Sequence, residues 1–171
     1  MSHSVTAINA ASKAEFYASF NRQLAAVLEG ERDWICNLAN TSALLMQTLP
    51  ALNWAGFYLL HGRDLVLGPF QGKVACVRIA LGRGVCGTAA ARRTTVVVPD
   101  VHEFPGHIAC DSASNAEIVV PLLHAGRLLG VLDLDSPQLN RFDADDARGL
   151  EHAVGILLSA SDLPTPQNAG P

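Results

Sequence analysis

The apolar residues of this chain change their spacing at Asn53, and that change restricts the folds open to it. Before Asn53 they recur every three or four residues, as in a helix. After it they alternate, in short runs rich in β-branched and aromatic residues with Gly, Pro or Asp between them. Helical spacing returns only near Asp143. This order predicts an α+β fold in which helices pack on a mostly antiparallel sheet.

Three amphipathic helices are predicted. The sequence Ser-Lys-Ala-Glu at residues 12–15 has the form of a capping box and begins the first helix, which ends at Gly30. The second covers residues 33–49 and stops at Pro50, and the last begins near Asp143. The apolar positions assigned to them are Phe16, Phe20, Leu24 and Val27, then Trp34, Ile35, Leu38, Leu45 and Leu49, and finally Ala147, Leu150, Val154, Leu157 and Leu158.

Between these helices the pattern predicts a central six-stranded sheet. Residues 61–64 and 124–127 have the composition of hairpin turns, which implies that the sheet is largely antiparallel. A short helix over residues 85–92 follows Gly84, and an irregular loop covers residues 99–115. The two N-terminal helices and the C-terminal helix are expected on one face. The predicted strands are 54–60, 65–70, 74–79, 95–98, 117–123 and 128–135.

The 171 residues are enough for one compact domain, which we assign to residues 12–160. Residues 1–11 are expected to be flexible, and residues 161–171, with three prolines and no apolar cluster, to be a disordered tail. The net charge of −4, with 16% charged residues, provides no basic surface for nucleic acid. Neither a signal peptide nor a membrane span is evident, so we expect a soluble, cytoplasmic protein.

Cysteines and carboxylates are concentrated in the strand-like sequence between residues 76 and 135. Asp133 and Asp135 lie two residues apart on a strand, so their side chains share one face, about 7 Å apart. If they share a pocket with Glu117, burial and mutual repulsion raise the pKa of at least one carboxyl, which can then donate a proton. Trp54 and Tyr58 share a face around Gly56 and predict an apolar slot.

Residue chemistry alone nominates two reactive thiols. Cys86 is near the N-terminus of the predicted short helix, where the dipole favours a thiolate, and Cys110 is on the irregular loop. Cys76 is expected in the middle of a strand and half-buried, and Cys36 in the core. In a cytosolic chain such cysteines serve metal binding, redox chemistry or packing, and packing is the commonest explanation for any one of them.

Metal binding is the competing chemical interpretation. His102, His107 and Cys110 are on one loop, with Cys76 and Cys86 upstream. No Cys-x-x-Cys pair and no His-Glu-x-x-His motif accompanies them, so we predict no metal. No other cofactor is predicted, since the glycines of residues 82–87 match neither a P-loop nor a dinucleotide fingerprint.

Five short motifs are notable in this chain: Asn-Trp-Ala-Gly-Phe-Tyr at 53–58, Gly-Pro-Phe-Gln-Gly at 68–72, Gly-Val-Cys-Gly at 84–87, Cys-Asp at 110–111 and Gly-Val-Leu-Asp-Leu-Asp-Ser-Pro at 130–137. Together they resemble the free methionine-(R)-sulfoxide reductases, which are built on a single GAF domain. The resemblance extends over residues 12–160 and includes all three cysteines of the region. It implies thiol-dependent reduction of free L-methionine (R)-S-oxide to L-methionine.

The resemblance also implies roles for the cysteines. The residue matching Cys110 is the nucleophile, whose thiolate attacks the sulfoxide sulfur and is left as a sulfenic acid. The residue matching Cys76 condenses with it to an intramolecular disulfide, with Cys86 as a second resolving thiol, and thioredoxin reduces that disulfide. Family members are often dimeric, and the first two helices are a candidate interface for a homodimer.

Substrate-binding roles follow in the same way. The residues matching Trp54 and Tyr58 enclose the methyl-sulfoxide end of the substrate. Those matching Glu117, Asp133 and Asp135 hold its ammonium group or assist protonation of the sulfoxide oxygen. Two alternatives stay open at this stage: a non-catalytic GAF module that senses a small molecule such as a cyclic nucleotide or an amino acid, and a zinc-stabilised interaction domain.

Overall fold

The structure, a computed structural model, describes residues 5–106 and 113–165. Its elements follow the order α1, α2, β1, β2, β3, α3, β4, a short 3-10 helix, β5, β6 and α4. In the same order their bounds are Lys13–Val27, Trp34–Thr48, Trp54–His61, Asp64–Gly72, Arg78–Ala80, Gly84–Arg92, Val96–Val98, Val101–Glu103, Ala116–His124, Arg127–Ser136 and Ala144–Ala160.

The predicted α+β architecture is confirmed. The six strands form one sheet in the order β3-β2-β1-β6-β5-β4, and every neighbouring pair is antiparallel. Both predicted hairpin turns are present, and the turn from β5 to β6 has positive φ at Ala125 and Gly126, the backbone twist that two-residue hairpins favour. In this strand order β1 and β6, which are far apart in the sequence, are the two central strands and pair with each other.

The sheet has a different cover on each face. One face packs against α2 and α4, with α1 packed on these two helices, and forms the larger core, which contains Phe57 of β1 and Ile118 of β5. The other face packs against α3 and the neighbouring loops and contains Trp54 and Tyr58. Alternation along β1 thus sends consecutive side chains into two different cores. No helix among the described residues has both the length and the apolar character needed to cross a bilayer.

The N-termini of α1 and α4 meet at a buried carboxylate. Asp146, 1% exposed, accepts hydrogen bonds from the Tyr17 hydroxyl at 2.9 Å and from Arg141 Nη1 at 3.2 Å, and it forms an ion pair with Lys13. It also completes a capping box with Asp143 at the start of α4. A carboxylate buried in this way is stabilised only because several donors surround it.

The expectation that Cys36 belongs to the core is wrong. The buried face of α2 passes through Trp34, Leu38 and Leu45, whereas Cys36 is exposed and Ile35 is 52% exposed. Residues 35 and 36 lie on the far side of the helix from this face because successive residues are rotated by about 100°. These two side chains therefore do not pack in the core of the domain, although both are apolar.

The predicted strand at 74–79 is also wrong over most of its length, since β3 contains only Arg78–Ala80. Its pairing with β2 runs from Asp64 opposite Ala80 to Val66 opposite Arg78. In the same register Val77 would face Leu67 and Cys76 would face Gly68, and Pro69, which has no N–H to donate to a ladder, would face Ala75. Residues 73–77 lie outside the strands, and Cys76 is in an irregular segment and not in mid-strand.

The ends of the described chain contact the body of the domain. The backbone N–H of Thr6 donates to Gln23 Oε1 at 3.1 Å, and Gln23 Nε2 donates to the carbonyl of Thr6 at 2.9 Å. At the other end Asp162 pairs with Arg32 at 2.8 Å. Residues 1–4 and 166–171 lie outside the described part, and the domain limits 12–160 stay a prediction.

Candidate active site

A cavity opens between the sheet, the N-terminus of α3 and the irregular segment 73–77. It lies on the face of the sheet opposite α1, α2 and α4. Its lining combines two aromatic rings, three carboxyl groups, a thiol and one guanidinium group. The lining residues are Trp54, Tyr58, Val74, Ala75, Ile79, Arg83, Gly84, Val85, Cys86, Ser114, Glu117, Asp133 and Asp135.

The aromatic part of the cavity comes from β1. The rings of Trp54 and Tyr58 are stacked with their centroids 5.9 Å apart, and Trp54 Nε1 donates to the carbonyl of Lys73 at 3.1 Å, which fixes the indole. The predicted slot at Gly56 is filled differently. A Cβ there would contact Phe70 and lie 2.7 Å from Trp54 Cη2, so the glycine makes room for the neighbouring rings and not for a ligand.

The acidic part comes from β5 and β6, and it confirms that the three carboxylates share a face. The sheet register sets Asp135 opposite both Trp54 and Glu117, and Asp133 opposite Gly56. Glu117 and Asp133 are each 6% exposed. Oδ1 of Asp133 has no hydrogen-bond partner among the described residues, which is costly for a buried oxygen and leaves an acceptor at the cavity.

Burial keeps these acids protonated well above their usual pH range. It raises the pKa of Asp133 to about 7, although hydrogen bonds from Cys86 and Glu117 oppose the rise. Burial also raises the pKa of Glu117 far above its ordinary value, and the nearby charges of Asp133 and Asp135 raise it further. Glu117 and Asp133 titrate as a pair. The cavity therefore holds at least one proton on a carboxyl near neutral pH.

Cys86 is at the third residue of α3, next to this acid pair. Its thiol donates to Glu117 Oε1 at 3.8 Å and is buried. Burial raises the pKa of the thiol well above its usual value, and the carboxyl groups of Asp133 and Glu117 add to that effect. The expectation that the helix dipole would make Cys86 a thiolate is therefore wrong, because desolvation and negative neighbours outweigh the dipole.

Of the other two cysteines of the predicted site, the structure describes Cys76 and does not describe Cys110. Cys76 is half-buried, as expected, and is disulfide-bonded. Cys36 and Cys86 are free thiols. Cys110, the predicted nucleophile, lies outside the described residues, as does His107. The six other predicted site residues apart from Cys76, namely Trp54, Tyr58, Cys86, Glu117, Asp133 and Asp135, all line the cavity.

The described side chains that could bind a metal ion are not the loop residues that the sequence suggested as metal ligands. His102 Nε2 is 3.0 Å from Asn115 Oδ1, and that loop histidine is therefore engaged with an amide. Ligand-type atoms of Cys86, Glu117 and Asp133 lie within 4.8 Å of one another and are the described groups that could hold a cation. A metal would have to displace the protons that burial favours on all three.

Sequence reasoning missed two polar residues of the cavity. Arg83 immediately precedes α3 and brings a positive charge to a cavity whose other charged residues are acids. Ser114 lines it from the chain that enters β5, and its Oγ accepts a hydrogen bond from Asn53 Nδ2 at 3.0 Å. The position of Arg83 just before a helix was a usable signal, whereas nothing in the local sequence distinguishes Ser114 from other loop serines.

The class of this protein follows from the fold and is supported by comparison with known families. The GAF domain family matches residues 33–160, which include every strand of the sheet together with α2, α3 and α4. The chain belongs to the GAF domain family.

Similarity to individual proteins shows which group within the GAF domain family this chain belongs to. Free methionine-R-sulfoxide reductase from Escherichia coli is 57% identical over 145 residues, which cover 85% of this chain and 88% of that protein. The enzyme of the same name from Saccharomyces cerevisiae is 46% identical over 137 residues, or 75% and 76% of the two chains. Within the GAF domains, the chain belongs with the free methionine-R-sulfoxide reductases.

A solved structure agrees with this placement. The crystal structure of free methionine-R-sulfoxide reductase from Neisseria meningitidis in complex with its substrate is 47% identical, with a TM-score of 0.88, and covers 93% of this chain and 95% of that one. Its helices and strands therefore correspond to those described above over nearly the whole domain.

Proposed function

We propose that this protein reduces free L-methionine (R)-S-oxide to L-methionine and oxidises two of its own cysteines in doing so. The observation that carries the proposal is the meeting of two stacked aromatic rings and three acids in one cavity, in a chain that belongs with the free methionine-R-sulfoxide reductases. The enzyme is an oxidoreductase that acts on a sulfur group and needs no bound cofactor.

The cavity suits both ends of the proposed substrate. The faces of Trp54 and Tyr58 offer an apolar contact for the methyl-sulfoxide group, and sulfur packs favourably against aromatic rings. A free amino acid also carries an ammonium group. Oδ1 of Asp133, which has no hydrogen-bond partner within residues 5–106 and 113–165, and the neighbouring carboxyl of Asp135 supply acceptors for it.

The reduction transfers one oxygen atom from the substrate to the enzyme. The thiolate of Cys110 attacks the sulfoxide sulfur, the S–O oxygen is protonated and passes to the cysteine, and methionine leaves. Cys110 is then a sulfenic acid. The thiol of Cys76 attacks its sulfur, an S–S bond forms and the oxygen is released as water. That Cys76 is disulfide-bonded supports its role as the resolving thiol.

The proton for the sulfoxide oxygen comes from the buried acid pair. Glu117 and Asp133 have raised pKa values because they are buried, so one of them is a neutral carboxyl near pH 7. Such a group can donate a proton to an oxygen that gains negative charge. Cys86, whose pKa is also raised, helps to hold this proton in the cluster and serves as a second resolving thiol only if it is first exposed.

Thioredoxin or a similar dithiol reductant completes the cycle by reducing the disulfide. The proposal includes a cytoplasmic setting, where such reductants are kept reduced. It also includes a homodimer through the first two helices, which is supported by the exposure of the apolar Ile35 on α2. No nucleic acid and no membrane takes part.

Epimer-specific turnover tests the proposed reaction. Purified protein is incubated with dithiothreitol and either the R or the S epimer of free methionine sulfoxide, and methionine is measured. We expect turnover of the R epimer alone, abolished by Cys110→Ser and retained by Cys36→Ser, which alters an exposed thiol away from the cavity. Binding of the R epimer without methionine formation would instead identify a sensor module and contradict the proposal.

A further inference from the structure

An exposed apolar surface surrounds the disulfide-bonded cysteine. Val74 is 89% exposed and Val77 is 68% exposed, and they flank Cys76 in the irregular segment 73–77, which we call the cysteine segment. With Leu81, three of the seven large hydrophobic side chains exposed in the described part of the chain fall within eight residues. A concentration of apolar side chains of this kind on a protein surface marks a contact site.

The charged residues within this stretch of sequence are all basic. Lys73, Arg78 and Arg83 are the ionisable residues of positive charge between positions 73 and 83, and that stretch of sequence contains no acid, although the whole chain has a net charge of −4. Arg78 is 61% exposed, with Asp64 of the adjacent strand 3.9 Å away. The surface is thus apolar at its centre and basic at its rim, which favours a partner with an acidic rim.

The disulfide at Cys76 indicates the kind of partner that would bind this surface, namely a protein that reduces disulfides. Thiol–disulfide exchange requires an attacking thiolate to approach one sulfur in line with the S–S bond, so a protein reductant must cover the residues beside that sulfur. The cysteine segment also lies outside the sheet, since the ladder between β2 and β3 ends at the pair of Val66 and Arg78. Its two valine side chains are exposed on either side of Cys76, whereas the carbonyls of Lys73 and Val77 accept hydrogen bonds from Trp54 Nε1 and Leu67 N.

We infer that the cysteine segment is the docking surface of the dithiol protein that reduces this enzyme, with Val77 as an apolar anchor. The inference rests on the proposed function. The partner's thiolate attacks Cys76 Sγ, the enzyme's S–S bond breaks and Cys110 leaves as a thiolate. The partner's second thiol then attacks the mixed disulfide and releases Cys76, so two electrons pass from the dithiol to the enzyme.

Val77→Asn separates docking from chemistry. Val77 does not line the cavity, and its backbone carbonyl, which accepts from Leu67 N, is kept in the variant. Loss of one buried valine contact predicts a fall of about five- to tenfold in kcat/KM for thioredoxin. Turnover driven by dithiothreitol, which needs no protein surface, is expected to stay unchanged. Leu139→Asn is the matched control, since Leu139 is 53% exposed and far along the chain from Cys76.

Both reductants are assayed at saturating methionine sulfoxide, with thioredoxin supplied by thioredoxin reductase and NADPH. A selective loss with thioredoxin in Val77→Asn supports the inference. Equal activity with thioredoxin, or a parallel loss with both reductants, overturns it. If the unaltered protein turns over with dithiothreitol but not with thioredoxin, the docking inference fails and the proposed reaction stands; if it turns over with neither, both fail.

A trapping experiment tests the site of attack independently of rates. Oxidised protein is mixed with a thioredoxin whose second active-site cysteine is replaced by serine, which stops the exchange at the mixed disulfide. We expect peptide mass spectrometry to find that thioredoxin joined to Cys76, with less adduct in Val77→Asn. An adduct on another cysteine of this chain would overturn the inference.

Discussion

The Sγ atom of Cys86 lies 3.8 Å from Oε1 of Glu117, and both side chains are buried. Asp133 is the third member of this cluster and has its own pKa raised by burial. A thiol and two carboxyl groups that share so little solvent cannot all ionise, because each negative charge raises the cost of the next. The cluster therefore keeps protons bound near neutral pH, next to the proposed reaction site.

Selective alkylation tests the state of Cys86. Cys36 is exposed, whereas Cys86 is buried and its pKa is raised by burial. Iodoacetamide reacts with thiolates, so we expect rapid modification of Cys36 and little of Cys86 in the native protein at neutral pH. Unfolding in urea should make both react at similar rates, which serves as the control. Modification of native Cys86 as fast as Cys36 would contradict this description of the cluster.

The acid pair also predicts a pH dependence of stability. The pKa of Asp133 is near 3.8 when the chain is unfolded and about 7 when it is folded. The folded protein therefore binds more protons between these values, and the free energy of unfolding falls as pH rises from about 4 to about 7. The limiting slope is about 1.4 kcal/mol per pH unit for one proton.

Asp133→Asn removes this titration without removing the bulk of the side chain. Its stability should exceed that of the unaltered protein by an amount that grows between pH 4 and pH 7 and is constant above, since the group's contribution is lost as pH passes its folded pKa. Urea unfolding at several pH values measures this difference. Parallel pH curves for the two proteins would mean that Asp133 is not held protonated by the fold.

Catalysis should depend on the same proton. If a neutral carboxyl of the Glu117 and Asp133 pair donates to the sulfoxide oxygen, kcat at saturating substrate falls as pH rises through the raised pKa values of the pair, that of Asp133 being about 7. Glu117→Gln should lower kcat by about 100-fold or more. The measurement is a pH profile of kcat from about pH 5 to about pH 9. A profile without this descending limb would exclude the pair as the general acid.

Gly56 should be far less tolerant of substitution than Gly155. A Cβ at residue 56 would contact Phe70 and the Trp54 indole, whereas one at residue 155 would have nothing within 4 Å. Gly56→Ala is expected to lower the free energy of unfolding by about 1–3 kcal/mol and to displace Trp54, with loss of activity. Gly155→Ala, on the exposed side of α4, should raise it by up to about 1 kcal/mol. Urea unfolding and turnover are measured for both, and equal effects would contradict the packing at Trp54.

The alternation of residues within single strands correctly predicted which site residues share a face of the sheet. Alternation at Asp133 and Asp135 placed both carboxyls on one face, and alternation in β1 placed Trp54 and Tyr58 together. Their meeting at one cavity depends on β1 and β6 being neighbours, which a two-residue turn does not specify. The resemblance of the motifs to a known family supplied that step.

The errors arose where tertiary contacts override the local pattern. The strand predicted to contain Cys76 begins only at Arg78, because its length is set by its pairing with β2 and not by its own residues. Cys86 is at a helix N-terminus, but the cost of burying its charge depends on Glu117 and Asp133, more than thirty residues away in the chain. Neither effect can be read from a short window of sequence.

The central claim is that Cys110 and Cys76 carry the two electrons of the reaction, and mass spectrometry tests it most directly. Fully reduced protein is mixed with free methionine (R)-sulfoxide in the absence of any reductant, and its mass and its linked peptides are measured. The account predicts a loss of two hydrogens, about 2 Da, with a Cys76–Cys110 link that Cys110→Ser abolishes. An unchanged mass, or a link that does not include Cys110, would contradict it.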